Sequence, residues 1–343
     1  MSEFFLNLET QEQSQIYRAL APKLSRSPIV LEKDVWVCWV LQALFSMPGR
    51  LPMAFKGGTS LSKVFGVIAR FSEDVDITLD YRGLDSTINP FAERISKTRL
   101  KKFSEDLKSF VRDHALDIVL PYIKERLAKD FNGNAETFRL ELSENGEQMR
   151  LYYPSVLETL GDYMGNNVLI EFGGRNITEP NAEHNIKPDI APHITNLLFP
   201  NPTVTVLSPS RTFWEKVTLI HVECQRNEFR SSAERLSRHW YDLAMLADHN
   251  LGQLALENLA LLADVLKYKK VFYNAGYANY DACLNGQLKL IPEETILVAL
   301  RYDFQRMIDA GMFIGTWPIF DTIIDRLRIL ETRINERIRN HIR

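Results

Sequence analysis

Two acidic residues, Asp74 and Asp76, are the clearest candidates for chemistry in this chain of 343 residues. Around them Val75, Ile77 and Leu79 alternate with polar residues, and this period of two is typical of a β-strand. Side chains two residues apart in a strand project in the same direction, so both carboxylates could bind one divalent cation or adjacent ones. The solvent-facing side of an ordinary amphipathic strand has the same pattern.

A glycine turn precedes the two aspartates. Gly57 and Gly58 follow a short apolar run and lead into Thr59 and Ser60, whose hydroxyls are suited to cap a helix. A turn that enters a helix N-terminus leaves backbone N–H groups directed at an approaching anion. Most turns of this composition bind nothing, but the order of glycine turn, helix and D-x-D strand favours phosphate chemistry.

This order resembles the nucleotidyltransferase signature of enzymes related to DNA polymerase β, in which G-[GS] and a helix precede D-x-D on the next strand. Further blocks narrow the resemblance: R-F-S-E-D-V-D-I at 70–77, S-P-S-R-T-F-W-E-K-V-T-L-I-H at 208–221 and S-R-H-W-Y-D-L-A-M-L at 237–246. With the glycine turn they are similar to the four-part pattern of the AbiEii/AbiGii toxin family of nucleotidyltransferases, which includes the MenT-type toxins. The similarity spans roughly residues 30 to 250.

Glu171 is the candidate third acid. It lies in V-L-I-E-F, which is apolar on both sides and is therefore predicted to be a buried strand. A buried carboxylate needs a cation or several hydrogen bonds. In polymerase β-like enzymes a third acid lies on a strand beside the D-x-D pair, and the resemblance implies that Glu171 is this acid. The alternative is a glutamate at the strand end that reaches water or Arg175.

Lys216 is the candidate phosphate ligand in the second half of the chain. On a helical wheel of 210–226 it lies between Leu219 and Ile220, near the side of Phe213. A lysine in such a position either extends to the rim or meets an anion. The family has a lysine at this place in its third motif, which implies that Lys216 contacts the triphosphate.

The helix predicted over 233–249 carries Arg235, Arg238, His239 and Asp242 on the side opposite its apolar stripe. A solvated charged face is the ordinary interpretation. The family's fourth motif, however, has an aspartate matching Asp242 and a basic residue matching Arg238, which implies a cleft on this side. The family pattern often has an Arg-Asp pair before the final aspartate, whereas this chain has Arg238-His239. In the preceding helix Arg211 and Glu215 are spaced as an intrahelical ion pair.

The resemblance implies Mg²⁺-dependent transfer of a nucleoside monophosphate from a nucleoside triphosphate, with release of pyrophosphate. The acids Asp74, Asp76 and Glu171 are then the metal ligands for two Mg²⁺ ions, with Mn²⁺ as the alternative metal. The residues implied to bind the nucleotide are Gly57, Gly58, Thr59, Ser60, Ser72, Lys216 and Arg238. Lys216 would neutralise the departing pyrophosphate, and Asp242 would position Lys216 or the nucleotide.

The acceptor and the partners are also implied by the resemblance. The expected acceptor is RNA, and in the MenT group it is the 3' end of tRNA. The expected partner is an antitoxin that is encoded beside the toxin. Such a pair would form a type IV toxin–antitoxin or phage-defence system. Two alternatives remain: AMP-type transfer to a protein side chain, and a non-catalytic nucleotide-binding module. The complete set of acids and the lysine argues against the module.

Composition limits the modes of RNA binding. The formal net charge of -3 argues against indiscriminate nucleic-acid binding, so any contact must be local. One candidate is the basic segment 94–102, which has five basic residues and no acid. Another is the arginine-rich C-terminus, where interleaved acids favour a solvated helix face. Its arginines are Arg326, Arg328, Arg333, Arg337, Arg339 and Arg343.

We expect a soluble, cytoplasmic protein without a membrane segment, because no apolar run approaches 18 residues and the three cysteines are far apart. The predicted fold is α+β. A nucleotidyltransferase core over 1–207 has a small mixed sheet flanked by helices, with a helical insertion after the D-x-D strand. A mainly α-helical domain over 208–343 completes the active-site cleft. A hairpin is predicted around Glu144-Asn145-Gly146.

Overall fold

A computed structural model describes residues 3–131, 134–157, 165–226 and 235–342. The chain forms two compact units. Unit 1 comprises residues 1–64, 71–89 and 96–207, and unit 2 comprises residues 65–70, 90–95 and 208–343. Two short segments that the sequence-based division places in the core, 65–70 and 90–95, thus belong to the C-terminal unit.

Unit 1 is built on a mixed β-sheet. Its strands are β1 (Glu3–Phe4), β2 (Met53–Lys56), β3 (Val75–Asp80), β4 (Arg139–Leu142), β5 (Gln148–Tyr152), β6 (Asn167–Asn176), β7 (Asn181–Asn185), β8 (Leu197–Leu198) and β9 (Thr203–Leu207). Within the described residues, seven of them form one sheet in the order β4-β5-β6-β3-β2-β9-β7, and β1 pairs separately with β8. The predicted hairpin is confirmed, because β4 and β5 pair in antiparallel fashion.

The helices of unit 1 are α1 (Thr10–Leu24), α2 (Pro28–Phe45), α3 (Gly57–Lys63), α4 (Tyr81–Leu84), α5 (Lys97–His114) and α6 (Leu120–Asp130). The start of α2 follows the sequence signal, with Ser27 accepting a hydrogen bond from the Val30 amide and Pro28 in the first turn. A π-helical segment over 115–119 lies directly before α6, which has Pro121 in its first turn.

Three consecutive charged residues, Glu32, Lys33 and Asp34, are buried in the otherwise mainly apolar α2. Lys33 forms an ion pair with Glu73, in the segment that precedes β3. Asp34 lies 2.6 Å from the ammonium of Lys63, at the end of α3. Removal of one partner from such a buried pair typically costs about 3–5 kcal/mol. These pairs therefore fix α2 to both elements that flank the predicted site.

Unit 2 is helical, with α7 (Pro209–Cys224), α8 (Arg238–Asp248), α9 (Asn250–Glu257), α10 (Leu259–Phe272), α11 (Tyr280–Leu284), α12 (Glu294–Asp309) and α13 (Phe320–Ile342). The predicted α+β class, with a mixed sheet followed by C-terminal helices, is confirmed. Asn258 separates α9 from α10 and caps α10, because its side chain accepts a hydrogen bond from the Leu261 amide. The predicted start of the helix at 233 lies outside the described residues.

The arginines of α13 bind other parts of unit 2 as well as their own helix. Arg328 pairs with Asp325 within α13, as expected, but Arg326 reaches Asp248 of α8 at 2.7 Å. Arg339 donates to the Gly286 carbonyl at 2.9 Å. The expectation of a solvated helix face therefore holds for only part of this segment, and Arg343 lies outside the described residues.

The segment 65–70 is held in unit 2 by its backbone. Arg70 forms an isolated antiparallel bridge with Phe313, and the Ile314 amide donates to the Ala69 carbonyl at 2.9 Å. The Ala69 amide donates to the Tyr241 hydroxyl at 3.3 Å. These bonds fix the position of Arg70, the last residue of the segment, independently of its side chain.

Two further expectations concern the whole chain. Among the described helices, none combines the length and the apolar character that a bilayer crossing requires. All three cysteines, Cys38, Cys224 and Cys283, are free thiols in buried positions.

Candidate active site

Four polar side chains lie in register across neighbouring strands of unit 1. Asp76 of β3 is paired with Glu171 of the parallel strand β6 and with Lys56 of the antiparallel strand β2. Glu171 is in turn paired with Gln148 of β5. Paired residues place their side chains on the same face of a sheet, so the two acids are neighbours. The Gln148 amide donates to Glu171 Oε1 at 2.8 Å and orients that carboxylate.

The prediction that the strand around Glu171 is buried on both sides was wrong. Burial alternates along β6: Val168, Ile170 and Phe172 are buried, whereas Leu169 and Glu171 are half-buried. The sequence concealed this alternation because an apolar residue, Leu169, lies on the more open face. Glu171 therefore needs no cation to compensate for complete burial, and its position beside Asp76 is the stronger argument for a functional role.

Gly57 makes the closest backbone approach to the acids. It has a φ of +81°, and a Cβ added there would lie 1.8 Å from Asp76 Oδ2. Both its conformation and the space around it therefore require glycine. The carboxylate of Asp76 rests against the start of α3, where the glycine turn had been expected to bind phosphate.

The hydroxyls next to the glycine turn do not cap α3. The helix begins at Gly57 itself, so Thr59 and Ser60 lie inside it, and the prediction that they act as caps was wrong. Ser60 donates to the Gly57 carbonyl at 2.9 Å, and Thr59 donates to the Asp74 carbonyl at 2.6 Å. Thr59 thus fixes the backbone of the first aspartate, and a phosphate contact for either hydroxyl stays a prediction.

The segment between Arg70 and β3 is closely packed. Ser72, Glu73 and Asp74 are all buried, as is Gly58 in α3. Glu73 is anchored by Lys33, which also donates to the Gly165 carbonyl at 2.9 Å. The segment is therefore fixed by a side chain and, through Thr59, by its backbone. Contacts of Ser72 and Gly58 with a nucleotide stay predictions.

The acids fit a metal that enters together with a nucleotide. In the part of the chain that the structure describes, no three Asp, Glu, His or Cys side chains are grouped to hold a metal ion. Asp76 and Glu171 nevertheless provide two adjacent carboxylates, with Asp74 two residues before Asp76. Mg²⁺ is commonly bound by one or two carboxylates together with substrate phosphates rather than by a complete protein cage.

In unit 2, Asp242 of α8 lies between two cations. Arg70 donates to it twice, from Nε to Oδ1 at 2.7 Å and from Nη2 to Oδ2 at 2.8 Å. Lys216 of α7 donates to Oδ2 at 2.8 Å. The exposed fractions are 0% for Asp242, 2% for Arg70 and 7% for Lys216. Asp242 was predicted to position Lys216, and this role requires the contact between the two side chains. The role itself stays a prediction.

Two pKa values in this cluster are shifted downward, one by the neighbouring charges and the other mainly by burial. Burial raises the pKa of the Asp242 carboxyl, but Arg70 and Lys216 outweigh it, so the net pKa lies below the ordinary range. Burial lowers the pKa of Lys216; Asp242 counteracts this, and Arg70 and Arg238 lower it further. Asp242 is therefore ionised at neutral pH, and the ammonium of Lys216 is easier to deprotonate than that of an exposed lysine.

His239 lies beside the cluster and is held neutral. Its Nδ1 atom is buried without a hydrogen-bond partner. Burial lowers the pKa of His239 well below its ordinary value, and the charges of Lys216 and Arg238 lower it further. Arg238 itself is half-buried at the start of α8, and its nucleotide contact stays a prediction.

Two arginines of this region differ in how well the sequence predicted them. Arg211 forms the expected pair with Glu215, at 3.5 Å, and a shorter one with Asp264, at 2.8 Å. Arg70 was not predicted as a site residue, although it is the first residue of the block that contains both aspartates. Its partner Asp242 is remote in sequence, so only the fold reveals the pair.

Comparison with known families gives a match over most of the chain. Residues 39–326 match the family model of the nucleotidyl transferase AbiEii toxin, type IV toxin–antitoxin system. The chain belongs to this family. This AbiEii protein is therefore a nucleotidyltransferase toxin of a type IV toxin–antitoxin system, as the sequence motifs had predicted.

Structure comparison gives a more distant likeness. The AbiEii chain matches MenT4, a nucleotidyltransferase toxin from Mycobacterium tuberculosis H37Rv, with 15% sequence identity and a TM-score of 0.43. The match covers 96% of this chain and 88% of MenT4. A comparison with curated proteins found no match.

Replacement of Gly57 by alanine should disrupt the acidic row. We expect Gly57→Ala to lower both the stability of the protein and its rate of nucleotidyl transfer, because the new Cβ displaces Asp76. The matched control is Gly49→Ala, where φ is +66° but no atom lies within 4 Å of the added Cβ. In the control, the free energy of unfolding should fall by only about 1–2 kcal/mol, which is the cost of a left-handed backbone for a residue with a Cβ. Urea unfolding measures this difference. Equal effects of the two substitutions would show that the close approach is unimportant.

The neutral state of His239 should make the protein sensitive to acid. Unfolded histidine binds a proton below about pH 6.5, whereas folded His239 resists protonation, so the unfolded state binds more protons. Its contribution to the free energy of unfolding should fall by about 1.4 kcal/mol per pH unit below that point. We expect the free energy of unfolding of His239→Gln, measured with urea between pH 5 and 7, to depend less on pH than that of the wild type. An equal pH dependence of the two proteins would contradict the neutral state of His239.

Proposed function

We propose that this toxin transfers a nucleoside monophosphate from a nucleoside triphosphate to RNA, with the 3' end of tRNA as acceptor, and that the transfer requires Mg²⁺. The observation that carries the proposal is the row in which Asp76 and Glu171 are neighbours beside Gly57. Two adjacent carboxylates against a glycine backbone suit the binding of a metal–triphosphate complex.

In unit 1 the acids would bind the metal. Asp74, Asp76 and Glu171 are the proposed ligands, and the ion would offset negative charge on the phosphates. Gln148 holds one oxygen of Glu171 and fixes the plane of the carboxylate. The remaining oxygen can accept the proton of the attacking hydroxyl or complete the metal shell. The backbone at Gly57 and Gly58 would bind the terminal phosphates.

In unit 2 the basic residues would bind the leaving group. Lys216 would neutralise the charge that develops on pyrophosphate as its bond to the α-phosphorus breaks. Asp242 holds the ammonium of Lys216 at 2.8 Å and would thus set its direction. Arg238, at the start of the same helix as Asp242, would contact the nucleotide.

The basic segment 94–102 is the proposed RNA contact. Lys97, Arg99, Lys101 and Lys102 are exposed in the first two turns of α5, and the first turn contains no acid. Cations at a helix N-terminus oppose the helix dipole, typically by about 0.3–1 kcal/mol each. An unfavourable placement of this kind is understandable if the residues bind a polyanion. Arg94 is exposed as well.

A labelling experiment tests the proposal. The purified protein is incubated with each radiolabelled nucleoside triphosphate, Mg²⁺ and total RNA, and we expect label in RNA. Asp76→Asn and Lys216→Met should each lower the rate about 100-fold or more, because each removes charge stabilisation of the transition state. The double variant should lose little more than either single variant if the two residues serve one reaction.

The same experiment identifies the alternatives. Label in protein would show that the acceptor is a protein side chain and that RNA is not the acceptor. Binding without transfer would indicate a nucleotide-binding module and would contradict the proposal. Additive losses in the double variant would show that Asp76 and Lys216 act independently.

Neutralisation of the basic segment should weaken RNA modification selectively. We expect Gln at Arg94, Lys97, Arg99, Lys101 and Lys102 to raise the apparent KM for RNA and to reduce its salt dependence, because fewer cations are displaced from the RNA. Nucleotide binding should be unchanged.

The charge-matched control neutralises five exposed basic residues of unit 1 that lie outside this segment: Lys23, Lys124, Lys129, Arg139 and Lys187. The control should leave the KM for RNA nearly unchanged. Equal effects of the two sets, or equal loss of RNA and nucleotide binding, would contradict the assignment.

A further inference from the structure

Two tyrosine rings are exposed at the end of α10 in unit 2. Tyr273 follows the last residue of the helix and Tyr277 lies in the loop after it, with exposed fractions of 40% and 41%. A tyrosine ring offers a flat, largely apolar surface with a polar tip, which makes tyrosine common where proteins contact their ligands. Two such rings only four residues apart therefore form a candidate contact surface.

A cation lies over each of the two rings. The ammonium of Lys269 is 5.2 Å from the centre of the Tyr273 ring, and the guanidinium carbon of Arg226 is 4.5 Å from that of Tyr277. Both distances are typical of cation–π contacts. Arg226 also pairs with Glu223 at 2.8 Å, which fixes its direction. A cation covers only one of the two faces of a ring, and the exposed fractions show that both tyrosines still reach solvent.

The chain around these rings is both basic and aromatic. Residues 265–280 contain three lysines, five aromatic residues and no acid. Lys270 pairs with Asp281 at 2.5 Å. Lys267 is exposed, and its ammonium lies 4.0 Å from the centre of the Phe91 ring. Positive charge thus lies beside flat rings, which is the combination that binds single-stranded nucleic acids.

This surface is close to the start of the basic segment 94–102. The short segment 90–95 belongs to unit 2, and its Phe91 ring packs edge-to-face against Tyr268 of α10, with ring centres 5.0 Å apart. Arg94 is exposed and follows Phe91 by three residues, which is at most about 11 Å of extended chain. The first residue of the proposed RNA contact is therefore a near neighbour of α10 within unit 2.

We propose that the tyrosine surface, formed by Tyr273, Tyr277 and the neighbouring Lys267, Lys269 and Arg226, binds unpaired bases of the acceptor RNA. The inference rests on the RNA acceptor of the proposed function. Every base has a flat face that can stack on an aromatic ring, and cations beside the rings attract the phosphates between the bases. These cations favour a polyanion over a protein as the occupant.

The test removes the rings and keeps the charges. Binding of a short fluorescent single-stranded RNA, without nucleotide, is measured by anisotropy for the wild type, for Tyr273→Ala, for Tyr277→Ala and for the double variant. We expect each single variant to bind roughly 10-fold more weakly, because stacking on one ring is lost, and the double variant to bind more weakly still. Tyr273→Phe and Tyr277→Phe keep the rings and should bind nearly as well as the wild type.

Two comparisons separate stacking from other causes. The matched control is Tyr302→Ala, because Tyr302 is 70% exposed on α12 of the same unit. Its loss should leave RNA binding unchanged. The same RNA annealed to its complement should bind equally to the wild type and to the double variant, since paired bases cannot stack on the rings.

Three results would overturn the inference: an equal loss in Tyr302→Ala, an equal loss in the phenylalanine variants, or full RNA binding by the double alanine variant. The last result would leave a protein partner as the occupant of the rings. If the alanine variants do not fold, as judged by Tm, Tyr273→Leu and Tyr277→Leu decide in their place, because they keep apolar bulk without the aromatic ring.

Failure of the proposed function would be recognisable separately, because RNA binding is measured without transfer. If the wild type binds RNA through these rings but transfers no label, the proposed reaction fails and the inference stands. If the wild type transfers label to RNA and the double alanine variant keeps the wild-type KM for RNA, the inference fails and the proposed function stands. Absence of RNA binding by the wild type would overturn the inference.

Discussion

The register between β3 and β6 is the constraint on which the acidic site depends. It places Asp76 beside Glu171, and a shift of one residue would direct Glu171 to the opposite face, into the apolar layer. The alternation of buried residues in β6 opposes such a shift, because Phe172 is paired with Ile77 of β3 and both side chains are buried. The hydrophobic core of unit 1 thus determines which two acids meet, although it contains neither of them.

Buried charges in α2 also help to position the elements around the acids. The run Glu32, Lys33 and Asp34 interrupts a helix that is otherwise almost wholly apolar, and a helix needs no such run to be stable. Lys33 instead reaches Glu73 next to the first aspartate, and Asp34 reaches Lys63 at the end of α3. A mispaired arrangement would leave these charges buried without partners, which is far more costly than a misplaced apolar contact. The run therefore favours one placement of the elements around the acids.

The local features of this fold could be predicted from the sequence, and the long-range ones could not. Some features depend on only a few adjacent residues. The turn residues predict the hairpin between β4 and β5, and the capping residues predict the start of α2. The open face at Glu171 and the hydroxyl bonds of Thr59 and Ser60 depend on which strands and helices are neighbours. Arg70 is the clearest case: it is the first residue of a recognised block, but its partner Asp242 lies far away in sequence, in α8.

The residues proposed for the reaction come from both units. Asp76 and Glu171 are neighbours in the sheet of unit 1, and Lys216 pairs with Asp242 among the helices of unit 2. Carboxylates suit a divalent cation, and an ammonium suits phosphate oxygens. In the transfer that we propose, the acids of unit 1 would therefore bind the metal, and Lys216 would bind the phosphates.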